Sequence, residues 1–484
     1  MAASPTIRDH QAAVAYLFGR IDYERTARLP YRSRGLKLDR MRRLVELLHH
    51  PQDRYPIVHV AGTKGKGSTA TMIASILTAA GRRTGLYTSP HLECIEERMA
   101  IDGQQCSGAE LVELIARIQP AVETLDAAAG TAGGPTFFEI MTAAAMLYFA
   151  DHEVDAAVLE VGLGGRLDST NVCQPAAAVI TTISFDHTRQ LGNTLAAIAT
   201  EKAGIVKPGV PVISGVIEPE PRAVIERIAA ERGCRLYARE RDFTFCYHAP
   251  EEVGRAAPFA AQVPGRHGEF DYWEPASGAE SGLQRLALGM PGRHQAANAA
   301  VALATIGRLR DCGWRVAEAD IRRGLAEAWC PARDEIVSWR PAVVIDAAHN
   351  VASIRALAEV IDELFQDRPR RMLVFAASQD KDAAGMFRAL LPRFDRELLT
   401  RFLNNPRAVA PSALEETVRR VVQESGGRPC EISVHPEPAA AWAAAWAAAS
   451  PDDLICVAGS FFLAGELRGA IRQQVAPEIG RAHV

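Results

Sequence analysis

The stretch from Ile57 to Tyr87 constrains the fold more than any other part of the chain. A short apolar run, Ile57-Val58-His59-Val60, enters the loop Gly62-Thr63-Lys64-Gly65-Lys66-Gly67-Ser68. A helical pattern follows from about Gly67 to Ala80, and a second apolar run spans Thr84 to Tyr87. That order predicts a strand–helix–strand unit, whose two strands must lie parallel because a helix separates them. At such a turn the backbone N–H groups and the helix N-terminus can surround phosphate oxygens, and Lys66 can reach between β- and γ-phosphates. The spacing differs from the general G-x-x-x-x-G-K-[ST] pattern. Gly62 lies only three residues before Gly65-Lys66, and Gly67 displaces the hydroxyl of Ser68 by one.

The same alternation continues along the chain. Ala156 to Val161 and Ala177 to Ile183 are nearly continuous in apolar character, as strands buried on both faces of a parallel sheet are. Helices are expected at about 191–203, 219–232 and 294–310, with a strand at Val210 to Ser214. Two amphipathic helices precede the loop, marked by Val14, Leu17, Phe18 and Ile21 and by Met41, Leu44, Leu47 and Leu48. Met141 to Ala150 is apolar but only ten residues long, about half a bilayer span, and reads as a buried helix. Residues 243–290 break the rhythm and are expected to form a surface insertion of short β pieces. After Cys330-Pro331-Ala332-Arg333 the alternation restarts, with strands at Val343 to Asp346, Met372 to Ala376, near 397–402 and at Leu454 to Val457. Helices at 353–365, 383–391 and 412–424 separate them, and the Ala/Trp tract Pro438 to Ala449 is a good helix former.

The fold class expected is therefore α/β. Residues 1–330 make a P-loop-type domain with a mostly parallel sheet and helices on both faces, 331–335 a hinge, and 336–484 a smaller Rossmann-like α/β domain. A chain of 484 residues exceeds what one core usually serves, which agrees with two domains.

Charge narrows the partners. The chain carries 54 Lys+Arg against 58 Asp+Glu, a net of −4, so no global field attracts nucleic acid or an anionic membrane. An anionic ligand must be held by local chemistry. The N-terminus lacks a basic segment followed by an apolar one, so no secretory signal is expected. Nine scattered cysteines, none spaced C-x-x-C, suggest neither a disulfide framework nor a zinc ribbon, and a cytoplasmic location is expected.

Several polar residues stand where ligands of parallel sheets bind. Glu160 closes an apolar strand before a glycine-rich turn, and Asp346, His349 and Asn350 follow another strand, both at carboxyl edges. His294 and Asn298 share a helix face at i, i+4, and Asn298 offers a donor and an acceptor for an adenine edge. Lys202, read from its helix alone, belongs to a solvated face.

With these residues in view, the sequence resembles the folylpolyglutamate synthase/dihydrofolate synthase family within the Mur ligase superfamily. Besides the loop, ten further stretches match in order: Tyr87-Thr-Ser-Pro-His-Leu92, Glu97-Arg-Met-Ala-Ile-Asp-Gly103, Thr136-Phe-Phe-Glu139, Leu159-Glu-Val-Gly-Leu-Gly-Gly-Arg-Leu-Asp168, Asp186-His-Thr188, Glu201-Lys-Ala-Gly-Ile205, His294-Gln-Ala-Ala-Asn298, Asp346-Ala-Ala-His-Asn350, Asp380-Lys-Asp382 and Gly459-Ser460. The resemblance runs from about residue 30 to residue 470. It implies an ATP-dependent ligase that adds L-glutamate to a reduced folate through an acyl phosphate, with dihydropteroate as the alternative acceptor. It implies Mg²⁺ at two sites, with Ser89, Glu160 and His187 as metal ligands, and a carbamylated Lys202. Asn298, Arg333 and Asp346 would serve ATP beside the loop residues Gly62, Thr63, Lys64, Gly65, Lys66, Gly67 and Ser68. Lys66, Lys202, Asp346 and His349 would be catalytic. Folate-facing positions would be Pro90, His91, Thr136, Phe138, Glu139, Leu167, Asp168 and Ser169, with Ser460 near the incoming glutamate. The small-molecule substrates would be bound by a monomer whose chemistry requires domain closure. One departure stands out: the hinge Pro331-Ala-Arg-Asp-Glu335 has Ala332 where the family commonly has glycine.

Overall fold

A computed structural model of the chain describes residues 7–22, 38–129, 133–250, 267–275, 282–426 and 430–481. These residues fall into two compact units: those within 1–246, 270–286 and 295–328 form one, and those within 247–269, 287–294 and 329–484 the other.

The first unit is built on an eight-stranded sheet, β1 (Ile57–Ala61), β2 (Thr84–Tyr87), β3 (Met99–Ile101), β4 (Gln104–Gln105), β5 (Ala156–Glu160), β6 (Ala177–Ile180), β7 (Val212–Ser214) and β8 (Leu236–Ala238). Their order is β4-β3-β2-β5-β1-β6-β7-β8, and only the β3 and β4 pairings are antiparallel. Every residue of β1, β5 and β6 is buried, as the continuous apolar runs require. Ile57, Ala157 and Leu159 pack with the helices Gly108–Ala129 and Phe137–Asp151, whereas Ala178, Ile180 and Val212 pack with Leu195–Lys202 and Pro219–Glu231. The helix Gly108–Ala129 adds to the elements expected from spacing. Leu111, Leu114, Ile115, Ile118, Val122 and Leu125 form its buried stripe, and Pro120 inside it masks the pattern. Register then decides the site. Val60 pairs with Glu160, Ala61 with Ile180 and Tyr87 with Leu159, so the loops after β1, β2, β5 and β6 emerge side by side at one carboxyl edge.

Three short strands, β9 (Thr244–His248), β10 (Glu269–Trp273) and β11 (Leu283–Ala287), pair into a small sheet within 243–290, where Phe270 and Leu286 are fully buried. Residues 251–266 and 276–281 of that stretch lie outside the described residues.

The second unit carries a six-stranded sheet: β12 (Glu335–Trp339), β13 (Ala342–Ile345), β14 (Arg371–Phe375), β15 (Arg396–Leu399), β16 (Glu431–Val434) and β17 (Leu454–Ala458). The order is β12-β13-β17-β14-β15-β16, parallel except for the edge hairpin β12–β13. Asp346 and Gly459-Ser460 leave neighbouring strands, since Ile345 pairs with Val457. Gly459 is required there: its φ is +98°, and a Cβ would sit 2.4 Å from the Ala376 carbonyl.

Candidate active site

The loop after β1 is pinned by the segment after β6. Thr63 N–H donates to the Thr182 carbonyl at 2.7 Å and Lys64 N–H to Thr182 Oγ1 at 3.0 Å, while the Thr181 hydroxyl donates to the Lys64 carbonyl at 2.6 Å. Lys64 Nζ pairs with Asp186 at 2.9 Å. Two of its glycines have no substitute. A Cβ at Gly62 would lie 1.9 Å from Thr181 Oγ1, and one at Gly65, where φ is +78°, 2.1 Å from Asn298 Oδ1. Asn298 thus backs the loop, with its amide donating to Gln295.

The helix Lys66–Ala79 starts from Gly65, which has no side-chain acceptor to offer. The first-turn amides of Lys66, Gly67 and Ser68 have no intrahelical partner and sit at the positive end of the helix dipole, a natural cradle for an anion. Glu160, only 5% exposed, faces this turn: its Oε1 is 3.8 Å from Lys66 Nζ, and its Oε2 accepts the Ser89 N–H at 3.2 Å. Lys66, Ser89 and Glu160 are therefore brought together. A carboxylate beside an uncapped helix start fits a divalent cation shared with phosphate oxygens. His187 enters the short helix Thr188–Leu191 at φ +49°, half-exposed, with Nε2 3.9 Å from Asp186 Oδ1.

Lys202 contradicts the solvated-face reading. It is buried and donates to the Gly62 carbonyl at 2.7 Å. The helix Leu195–Lys202 has eight residues, too short for its faces to be told from spacing, and Lys202 ends it beneath the loop. Burial first, then Lys66 and Lys64, press the ammonium down to about 7, with Asp186 and Asp168 opposing.

The folate-facing candidates separate into two groups. Asp168 follows the glycine turn after β5 and is buried. Its Oδ1 accepts the Thr170 N–H and hydroxyl at 3.0 and 2.5 Å, and its Oδ2 accepts the Leu163 N–H at 2.9 Å. Burial raises its pKa against those hydrogen bonds. Ser169 is buried beside it, and Leu167 packs on the core. Phe138 is half-buried and fills the space a side chain at Gly162 would need. Its neighbour Phe137 is fully buried, stacked 5.5 Å from Phe18. Thr136 and Glu139, in contrast, are engaged with each other in a capping box, and Arg40 reaches the Glu139 carboxylate at 2.7 Å. Pro90 follows a cis peptide bond, and His91 Nδ1 accepts from Arg98 Nε at 2.8 Å.

The second unit assembles its own cluster. Asp346 is buried, accepting the Asp334 N–H and the Ala348 N–H at 2.7 Å each. Burial and then the Asp334 charge push its pKa up. Asp334, itself buried, faces His294 Nε2 at 3.2 Å. Burial would lower the imidazole pKa, but Asp334, then Asp346 and Glu359, leave it raised. Spacing along the chain does not reveal the His294–Asp334 pair; the only hint is Asp334 inside the hinge motif. Arg333 lies over the Phe461 ring at 5.9 Å, and Ser460 accepts the Phe462 N–H. His349 Nδ1 is 2.9 Å from the Ala347 carbonyl, and Asn350 caps the helix Val351–Leu364. Ala332 adopts φ +50°, the conformation that glycine takes without strain.

Comparison with known proteins agrees with this architecture. Residues 60–306 match the Mur ligase middle domain, and residues 332–461 the Mur ligase glutamate ligase domain. A dihydrofolate synthase/folylpolyglutamate synthase of Bacillus subtilis is 37% identical over 385 residues, 79% of this chain and 82% of that protein. The Mycobacterium tuberculosis folylpolyglutamate synthase complexed with ADP superposes with a TM-score of 0.81 at 31% identity, covering 96% of this chain and 99% of that one. A bifunctional folylpolyglutamate synthase/dihydrofolate synthase of Yersinia pestis, complexed with AMPPNP and Mn ion, gives 0.77 at 30% identity, covering 96% and 99%.

Proposed function

Because the chain belongs to the folylpolyglutamate synthase/dihydrofolate synthase family of Mur ligases, we propose that it uses ATP to join L-glutamate to the terminal carboxylate of a tetrahydrofolate, which itself carries one or more glutamates. A carboxylate is a poor electrophile. One of its oxygens therefore attacks the γ-phosphorus, the bond from that phosphorus to ADP breaks, and an acyl phosphate forms. The glutamate amine then attacks the acyl carbon, the C–N bond forms, phosphate leaves and the amine proton is lost.

The residues divide the work by position. Lys66 and the first-turn amides of its helix stabilise charge on the transferring phosphoryl group, the dominant need in such a transfer. Ser89, Glu160 and His187 would hold Mg²⁺, which supplies Lewis-acid charge on the phosphate oxygens. Lys202 is the candidate for carbamylation, since burial leaves a large fraction of neutral amine near pH 7. Loss of a proton and addition of carbon dioxide turn it into an anion suited to a second cation. Asn298, Arg333 and Asp346 are assigned to ATP, His349 to catalysis, Asp168 and Phe138 to the folate, and Ser460 to the incoming glutamate. Residues 331–335 are assigned as the hinge between a 1–330 and a 336–484 domain. The enzyme is assigned as a monomer of the cytoplasm, a compartment that nine free cysteines support. No described helix is long and apolar enough to cross a membrane.

The observation that carries this reading is the uncapped helix start at Gly65 with Lys66 and Glu160 against it. The test measures ADP release with ATP, tetrahydrofolate and L-glutamate, omitting each in turn. Release that needs both acceptor and glutamate is expected; full-rate hydrolysis with neither would leave a simple ATPase. A second reading, glutamate addition to dihydropteroate, is favoured by the double name of the Bacillus subtilis relative. Product analysis with dihydropteroate as sole acceptor decides it.

A further inference from the structure

His59 is fully buried on β1, three residues before Gly62 opens the loop, and no step above uses it. Its Nε2 lies 2.8 Å from Thr170 Oγ1, and its Nδ1 lies 3.7 Å from Cys173 Sγ. Thr170 in turn donates its hydroxyl to Asp168 Oδ1. Direction follows from donor chemistry. A carboxylate only accepts, so the Thr170 proton is committed to Asp168, and the Thr170 oxygen must accept from His59. The ring proton is then on Nε2, and bare Nδ1 accepts the Cys173 S–H. The opposite sense needs a protonated Asp168, yet both of its oxygens already accept backbone N–H groups, from Thr170 and Leu163. Burial, with Lys207 adding to it, holds the ring neutral by pressing its pKa down to about 3.

The chain Cys173, His59, Thr170, Asp168 thus runs one way and ends on one carboxylate oxygen. Oδ1 receives two hydrogen bonds and Oδ2 one, so the spare acceptor direction belongs to Oδ2. We propose that His59, as the neutral Nε2–H tautomer, is a positioning residue for the folate acceptor, fixing the Thr170 hydroxyl and through it the orientation of Asp168. This rests on the assignment of Asp168 to the folate.

Five variants and one spectrum test it. His59→Met removes the N–H with little change of volume, His59→Gln keeps a side-chain N–H, and Thr170→Val deletes the hydroxyl. Losing one such hydrogen bond is expected to raise the KM for the folate acceptor about five- to tenfold, with kcat and the KM for ATP within about twofold. The double variant His59→Met, Thr170→Val should do no more than either single change, because both break one chain, and His59→Gln should recover most of the loss. A fall in kcat with all KM values raised alike, no recovery with His59→Gln, or additive losses would mean that His59 only packs, and would overturn the proposal. Selective ¹⁵N-histidine labelling of the unmutated protein gives an independent reading, with the His59 signals identified by their loss in the His59→Met variant. Neutral, Nε2-protonated nitrogens from pH 5 to 8 are expected; an Nδ1–H tautomer or an imidazolium refutes the chain even if the variants fail to fold. Asp168→Asn separates the two assumptions: an unchanged acceptor KM removes Asp168 from the folate site and the proposed consequence with it, while the spectrum still judges the tautomer.

Discussion

Replacing Glu397 with Met should stabilise the second unit, and by an amount that depends on pH in a defined way. Glu397 lies on β15, paired with Leu373 and Ile432, fully buried, and neither carboxyl oxygen has a hydrogen-bond partner. Burial alone pushes its pKa from 4.5 to about 8. A carboxyl whose pKa is raised by folding leaves stability complete below the free-chain value and withdraws it as pH climbs towards the folded value. At pH 7 that is roughly 2.5 pH units at about 1.36 kcal/mol each, so the penalty is about 3 kcal/mol. Methionine has similar length and no charge to desolvate. The gain expected is therefore about 3 kcal/mol at pH 7, about 1 kcal/mol or less at pH 5, and about 5–10 °C in the transition of this unit at pH 7. Scanning calorimetry of both proteins at pH 5, 6, 7 and 8 measures it. Glu397→Gln is the control, since it abolishes the titration but leaves an unpartnered amide, so its advantage should be smaller. A Met advantage that stays constant from pH 5 to 8, or a Met variant that melts lower, would refute desolvation as the cause.

Lys66→Ala is expected to cut kcat by about 10²–10³ while changing stability by less than about 0.5 kcal/mol, because the side chain serves charge and little core; steady-state rates and melting curves check both. For Lys202 the sign reverses that of Glu397. A lysine with a depressed folded pKa costs stability at and below about pH 7, and the cost eases as pH rises towards 10.5. Lys202→Met should thus lose ligase activity yet melt higher than the unmodified protein at pH 7, with the advantage shrinking by pH 9; a lower melting point at pH 7 would contradict it. At Ala332, relief of about 1 kcal/mol of left-handed strain on changing to Gly is offset by about 0.5–1 kcal/mol of added unfolded-chain entropy. Ala332→Gly should accordingly leave the denaturation midpoint within about 1 kcal/mol of the parent.

What the sequence alone determined is the part of the molecule that depends on neighbours in the chain. Strand, glycine loop and helix follow from local periodicity, and a carboxylate such as Glu160 closing a buried strand must appear at the carboxyl edge of a parallel sheet. The alternation of elements and the α/β class were legible for the same reason. The tertiary structure decided everything that depends on which strands become neighbours. It put Ser89 and Glu160 together through the register of β2 on β5, and locked the loop from the segment after β6. It drove Lys202 under Gly62, where a helix of eight residues gave no warning of burial. It joined His294 to Asp334, residues forty apart in sequence, and brought Arg40 onto the Glu139 carboxylate, ninety-nine residues away. Spacing along a chain specifies the local hydrogen bonds of helices and turns, whereas a buried charge acquires its partner, its pKa and its role only when sheet order has chosen what surrounds it.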